Sequence, residues 1–173
     1  MRYYLRCMAQ PAFRAAKTMR QASYAIQHAH ILDIWGVFKL ERACFGAEDG
    51  YGLDTLFTLL LTPSNTLFKA MMNRKLVGFV AGEFEYSQQA GWIITIGVLP
   101  DYAGRGIGAA LLSAAEQKLF EQVSRVKLTV RRSNERAINL YSRTGYRWVT
   151  TYQHYYRDGE DGLVMEKTAK NVV

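Results

Sequence analysis

Between Trp92 and Glu116 an apolar, β-branched run passes into a loop with glycines at 104, 106 and 108, and those glycines open the longest amphipathic stretch of the chain. This strand, loop and helix constrain the fold more than any other segment. Glycine has no Cβ, so an anion can come close to the main chain. Successive amides from Gly104 to Ala109 can then point at phosphate oxygens, and the helix N-terminus adds about half a positive charge. A diphosphate is the natural guest. The bland alternative is a strand-to-helix turn that uses its glycines for geometry alone.

The elements around this segment follow from period. A short strand at 24–28 leads to a helix over 31–44, where Ile34, Val37, Phe38, Glu41 and Phe45 recur at roughly helical spacing. The glycine- and acid-rich stretch 46–52 is expected as a loop, and 53–61 as a helix stopped by Pro63. Strands are predicted over 66–72, 76–84 and 92–98. In the helix over 106–123, apolar residues at 107, 110, 111, 114, 115, 119 and 120 define one face, with Ser113, Glu116 and Gln117 on the other. Val126, Leu128 and Val130 alternate with Lys127, Thr129 and Arg131 as a half-buried strand. Asn134 caps a helix over 135–143 that ends at Gly145, and two strands, 146–155 and 163–167, flank the turn RDGEDG. The sum is a mixed α/β fold with helices on both faces of the sheet.

Composition narrows the class. With 173 residues, 49% apolar and 21% charged, the chain suits one folded domain and not a disordered or low-complexity class. The net charge of +7 is uneven: residues 1–32 hold five basic residues and no acid, so the rest carries 17 basic against 15 acidic. The excess is a basic extension at 1–23 ahead of a domain at 24–170, not a nucleic-acid-binding stripe. Two cysteines and three histidines supply no metal-ligand spacing, so no metal is expected. The uncharged runs 55–68 and 86–100 fall short of the roughly 18 residues of a membrane span. A cytoplasmic protein is expected, with no nucleic-acid or membrane partner; a homodimer is compatible with the sequence.

Two families could use the glycine loop. As G-x-G-x-x-A, Gly104, Gly106 and Ala109 match a dinucleotide-binding fingerprint, and Arg131 and Arg132 could take a ribose phosphate. Against this, VLPDYA separates strand from loop, and only 65 residues follow Gly108 to complete a doubly wound sheet. The stretch IGVLPDYAGRGIGAALL instead resembles the phosphate loop of the GCN5-related N-acetyltransferase (GNAT) family, Q/R-x-x-G-x-G/A after a strand ending V-x-P. SNERAINLYSRTGYR is similar to that family's N-x-x-A-i-x-L-Y block, and YAIQHAHILDIWGVFKLERACF to its first strand and helix. The likeness extends from about Tyr24 to Lys167, with Ala103 where the loop usually has Gln or Arg.

The resemblance implies a strongly twisted mixed sheet of about seven strands and acetyl-CoA as co-substrate. Pantetheine would lie along Ile96, Gly97 and Val98, and the diphosphate on Gly104, Arg105, Gly106, Ile107, Gly108 and Ala109. Asn134 resembles the residue that contacts CoA, besides being a helix cap. Tyr141 occupies the L-Y position and would protonate the leaving sulfur, as transfer to an amine requires. The carboxylates that relatives use as base are missing: Trp92 and Thr129 stand at those two positions. Glu83 and His154 are candidates, the latter on the penultimate strand.

Residues 152–166, YQHYYRDGEDGLVME, resemble the Y-Y-x-x-x-G-E-D-A-x-x-M signature of protein N-terminal acetyltransferases, closest to the bacterial ribosomal-protein-alanine type, with Gly162 for Ala. The expected activity is acetyl transfer to the α-amine of a protein or peptide, by direct attack in a ternary complex. Tyr155, Tyr156 and Glu83 would hold the acceptor. Acetylation of a small amine, such as an amino acid, polyamine or aminoglycoside, and a catalytically weak acetyl-CoA-binding module are the alternatives.

Overall fold

The computed structural model describes residues 23–169, and in it seven strands form one sheet. In chain order they are β1 (Ala25–His28), β2 (Thr66–Met72), β3 (Lys75–Glu85), β4 (Ala90–Val98), β5 (Arg125–Arg131), β6 (Arg147–Tyr152) and β7 (Gly162–Thr168). Across the sheet the order is β1-β2-β3-β4-β5-β7-β6. Only β4 and β5 pair in parallel; the other neighbours are antiparallel. The basic extension expected at 1–23 lies outside the described residues, Ser23 excepted.

Among the described residues four α-helices cover the sheet: α1 (Ile34–Asp49), α2 (Leu53–Leu61), α3 (Ile107–Phe120) and α4 (Glu135–Arg143). Both faces of β3 are buried because successive side chains point oppositely. Phe79 and Ala81 pack under Val37, Leu40, Leu56 and Leu59 of α1 and α2. Val80 lies on the other face in the core built by Ile107, Leu111, Leu112, Ala115 and Leu119 of α3, with Tyr141 of α4.

A β-bulge decides the geometry of β4. Thr95 pairs with Ala81 and Ile93 with Gly82, so Ile94 is an extra residue on β4. The extra residue inverts the alternation: Ile93, Ile96 and Val98 all pack on the α3 core, while Thr95 reaches Glu41 of α1 and Gly97 lies against Leu40. The parallel pairing of Gly91–Ile93 with Val126–Leu128 stops at that bulge. Beyond it β4 and β5 part. Leu99 N–H donates to the Val77 carbonyl, so antiparallel alternation turns the Gly97 amide toward β3 and the amides of Ile96 and Val98 toward the gap.

The glycine loop enters α3 through left-handed backbone, with φ of 76° at Gly104 and 79° at Gly106. Gly106 is the residue before the helix, and Pro100–Tyr102 forms a 3-10 turn ahead of it.

Several expectations are corrected. The helix expected over 31–44 begins with a 3-10 turn at Ile31–Asp33 and continues to Asp49 across a break at Gly46 (φ 75°), so helical turns occupy part of the expected loop. Helix α3 ends at Phe120, three residues early, with Val123 still buried. Strand β6 stops at Tyr152, so His154 is not on a strand. It sits in a turn at φ 51°, its amide held by Asp161 Oδ1 at 3.1 Å and its Nδ1 3.0 Å from the Gly159 carbonyl oxygen. Glu116, expected on the solvent side of α3, is buried because Lys167 of β7 reaches it, Nζ to Oε2 at 2.5 Å.

Candidate active site

Where β4 and β5 separate, a cleft of about 960 Å³ opens between the sheet, the α1–α2 connection and the β6–β7 turn. Three candidates from the sequence, Tyr141, Tyr155 and Tyr156, line it together with Ile96 and Asn134. Gly97, Val98, Glu83, His154 and the loop residues 104–109 are not in its wall. The loop lies beside it: a Cβ at Gly108 would be 3.5 Å from Leu140 of α4 and 3.8 Å from Val98.

Helix α4 delivers Tyr141. Asn134 Oδ1 accepts from Ala137 N at 3.0 Å and fixes the start of the helix. Tyr141 then falls two turns on, 7% exposed, with its ring against Tyr146. Burial raises its hydroxyl above the usual tyrosine range, with the nearby Tyr156 adding to the effect, so it stays protonated at neutral pH.

The opposite wall is a tyrosine cluster. Tyr155 stacks on Tyr152 at 5.7 Å and meets Tyr156 edge-on at 5.1 Å. Arg131 at the end of β5 lies 4.0 Å over the Tyr156 ring. Its guanidinium also bonds Asp49 at 2.6 Å, Asp158 at 2.9 Å and Glu160 at 2.6 Å. One cation thus ties the α1 end to the β6–β7 turn. With three carboxylates around it, Arg131 does not serve a ribose phosphate; the neighbouring Arg132 pairs with Asp161 at 3.3 Å.

The positions where relatives carry a base also face this cleft. Trp92 packs under Lys127, whose Nζ is 5.6 Å from the ring centre, and Thr129 sits on β5 opposite Val164. Neither takes a proton. The cleft instead contains a carboxylate that hydropathy assigned to a core face: Glu41 of α1, 1% exposed. Its Oε1 accepts from Thr95 Oγ1 at 2.6 Å and its Oε2 from Tyr51 N at 3.3 Å. Burial raises its pKa against the opposing pull of those two bonds. The one sequence signal was an acid inside an apolar helical stripe.

Cys44, one turn along α1, borders the same cleft, with its thiol pushed up to about 11 by burial and by Glu41. It stays protonated at neutral pH and is a poor acyl carrier. Among the described residues no group of three or more His, Cys, Asp or Glu could hold a metal ion, and no helix is long and apolar enough to cross a membrane.

Comparison with known proteins places this geometry. Residues 34–146 match the model of the acetyltransferase (GNAT) family. An N-alpha-acetyltransferase of Sulfurisphaera tokodaii is 30% identical over 162 residues, covering 87% of this chain and 96% of its own. The N-alpha-acetyltransferase RimI of Mycobacterium tuberculosis is 33% identical over 137 residues, with 75% and 82% covered. Among solved structures, the ribosomal-protein-S18-alanine N-acetyltransferase from Escherichia coli superposes with a TM-score of 0.75 at 25% identity, covering 87% of this chain and 99% of that one.

Proposed function

The chain belongs to the GNAT family of acetyltransferases, and from that premise we propose that it transfers acetyl from acetyl-CoA to the α-amine of a protein or peptide. The observation that carries this is the cleft: it begins at the parted strands, passes Tyr141 and ends between the α1–α2 connection, which brings Tyr51, and the β6–β7 turn, which brings Tyr155 and Tyr156. A mouth of that kind accepts an extended chain end, with rings for a small side chain and hydroxyls for its backbone.

The residues present fit the co-substrate. Gly104 and Gly106, at positive φ, leave the loop backbone open to a diphosphate at the α3 N-terminus, where amides and helix dipole favour negative charge. The amide of Ile96, left without a β5 partner, faces the gap where a carbonyl oxygen would lie, while that of Val98 bonds the Cys44 thiol. A preset donor there stabilises charge developing on that oxygen without reorganising. When bound, acetyl-CoA supplies an activated acyl group on sulfur. Tyr141 holds a proton for the departing sulfur. The Arg131 clasp keeps Tyr156 and the α1–α2 connection in register, so the acceptor nitrogen is presented on the far side of β4 from α3. The acceptor amine attacks the acyl carbon directly, in a ternary complex.

Asn134 acts twice, as cap and as a polar group at the cleft wall. The acceptor is a protein or peptide end met in the cytoplasm. Thiol release from acetyl-CoA tests this on short peptides beginning Ala, Ser, Met or Gly, with spermidine and an N-terminally blocked lysine peptide as comparators. Turnover confined to free peptide ends is the expected result. Turnover on spermidine alone would overturn it in favour of a small-amine enzyme.

A further inference from the structure

Resting on that functional reading, we infer that Glu41 is the proton acceptor of the transfer, working through the Thr95 hydroxyl. Three observations converge. Glu41 is fully enclosed, yet it borders the cleft together with Thr95, Ile96 and Tyr141. Its 2.6 Å bond from Thr95 Oγ1 crosses from α1 to the segment of β4 just beyond the bulge, next to the gap-facing amide of Ile96. Trp92 and Thr129, which also face the cleft, cannot accept a proton at neutral pH.

A buried carboxylate has a cost, so its presence in an otherwise apolar helix face needs a reason. Val37 and Leu40, fully buried on the same face of α1, show what packing alone selects there. The bulge supplies the reason on the strand side. Without the extra residue at Ile94, the alternation of β4 would turn Thr95 toward α3. Bulge, threonine and glutamate therefore form one device.

The step balances as follows. An α-amine has a pKa of about 7.7 to 8.0, so a useful fraction binds neutral. As the C–N bond forms and the C–S bond breaks, the electron pair of the latter stays on sulfur, which takes the Tyr141 hydroxyl proton. The nitrogen gives a proton to Thr95 Oγ1 while the Thr95 proton passes to Glu41 Oε1. Exchange with solvent then returns a proton to Tyr141 and removes the one on Glu41.

The groups around Glu41 make its titration readable. From β4 it meets the uncharged Thr95; from the α1–α2 connection, Tyr51, whose hydroxyl is raised by burial; from its own helix, the protonated Cys44. Glu83 on β3 and Tyr155 in the β6–β7 turn act on Tyr51, while Arg42, Asp49, Asp54 and Arg157 also line the cleft, with Asp49 held by Arg131.

The test is steady-state kinetics on full-length protein with acetyl-CoA and the best peptide, against pH, for wild type, Glu41→Gln, Thr95→Val and Thr95→Ser. Glutamine keeps an acceptor for Thr95 but cannot take a proton. General-base loss predicts that kcat of E41Q falls roughly 100-fold or more. Both KM values should stay within about threefold, and the acid limb of the kcat profile should vanish, as fits loss of a group acting in the bound complex. Thr95→Val should lose the same rate and Thr95→Ser recover most of it. Melting temperature and acetyl-CoA binding report the fold; if E41Q does not fold, the valine–serine contrast decides. An E41Q enzyme within about threefold of wild-type kcat with its acid limb in place, or Thr95→Val at full rate, overturns the inference while leaving the function standing. A wild type that acetylates no peptide overturns the functional reading and this inference with it.

Discussion

At the scale of single residues, Glu41 links stability and pH in a direction that can be measured. Burial raises its folded-state pKa, so the folded state binds its proton more tightly than the unfolded chain does. The sign follows: its contribution is most favourable below the unfolded value of about 4.3 and is lost as pH rises through the raised folded value. Glu41→Gln removes that dependence. Thermal melts should therefore show E41Q gaining on wild type from about pH 4.5 upward and levelling off above the folded pKa. A constant difference across that range would show that Glu41 does not titrate in the fold. Tyr141 gives the second residue-scale prediction. Tyr141→Phe keeps the ring in its core and removes only the hydroxyl, so acetyl-CoA affinity should hold while kcat drops by roughly 100-fold. Single-turnover thiol release at saturating acetyl-CoA checks it, and unchanged turnover would remove Tyr141 as the acid. What sequence could not show here is burial of charge. Glu116 was expected at solvent and Glu41 stood in the apolar stripe of its helix with no partner to be read; their partners, Lys167 and Thr95, lie 51 and 54 residues away and meet them only in the fold. His154 and Glu83, chosen as acid–base types on strands expected beside the site, stand outside the cleft wall.

At the scale of elements, period carried most of the fold. Helix α2 runs over Leu53–Leu61 and α4 over Glu135–Arg143, as their spacing and caps predicted, and the glycine loop opens α3 as its residues required. Boundaries failed where side-chain type misleads. The run from Arg147 to Tyr155 is rich in β formers, yet the strand ends at Tyr152 because Asp161 and Gly159 hold His154 in a turn. The bulge at Ile94 was not legible either, since Trp92–Val98 reads as an uninterrupted strand. Two glycines separate two roles at this scale. A Cβ at Gly97 would stand 2.9 Å from Leu40 Cδ2 and 3.2 Å from Cys44 Sγ, so Gly97 lets α1 press on β4. Gly106 has open space beyond Tyr24 but a φ of 79°. Gly106→Ala costs about 1 to 2 kcal/mol of left-handed strain in the loop, so isothermal titration should find acetyl-CoA binding weakened by up to roughly 30-fold with the peptide KM little changed. Undiminished affinity would place the diphosphate elsewhere.

At the scale of the whole molecule, the site depends on one cation joining segments distant in sequence. Arg131 closes three carboxylates and a tyrosine ring around itself. Each pair alone, partly in solvent, is worth little, but a network that fixes two loops orders the mouth of the cleft. Arg131→Ala should raise the peptide KM several-fold and leave acetyl-CoA affinity intact, and salt should move the wild-type peptide KM in the same direction. Equal losses for both substrates would make Arg131 a general fold stabiliser instead. The claim that unites these scales is α-amine acetylation in the cleft between the parted strands. Its most direct measurement is tandem mass spectrometry of a peptide that carries both a free N-terminus and an internal lysine, after incubation with the protein and acetyl-CoA. A single acetyl group on the N-terminal nitrogen is the predicted product. Acetyl on the lysine side chain, or on neither nitrogen while spermidine is modified, would contradict it.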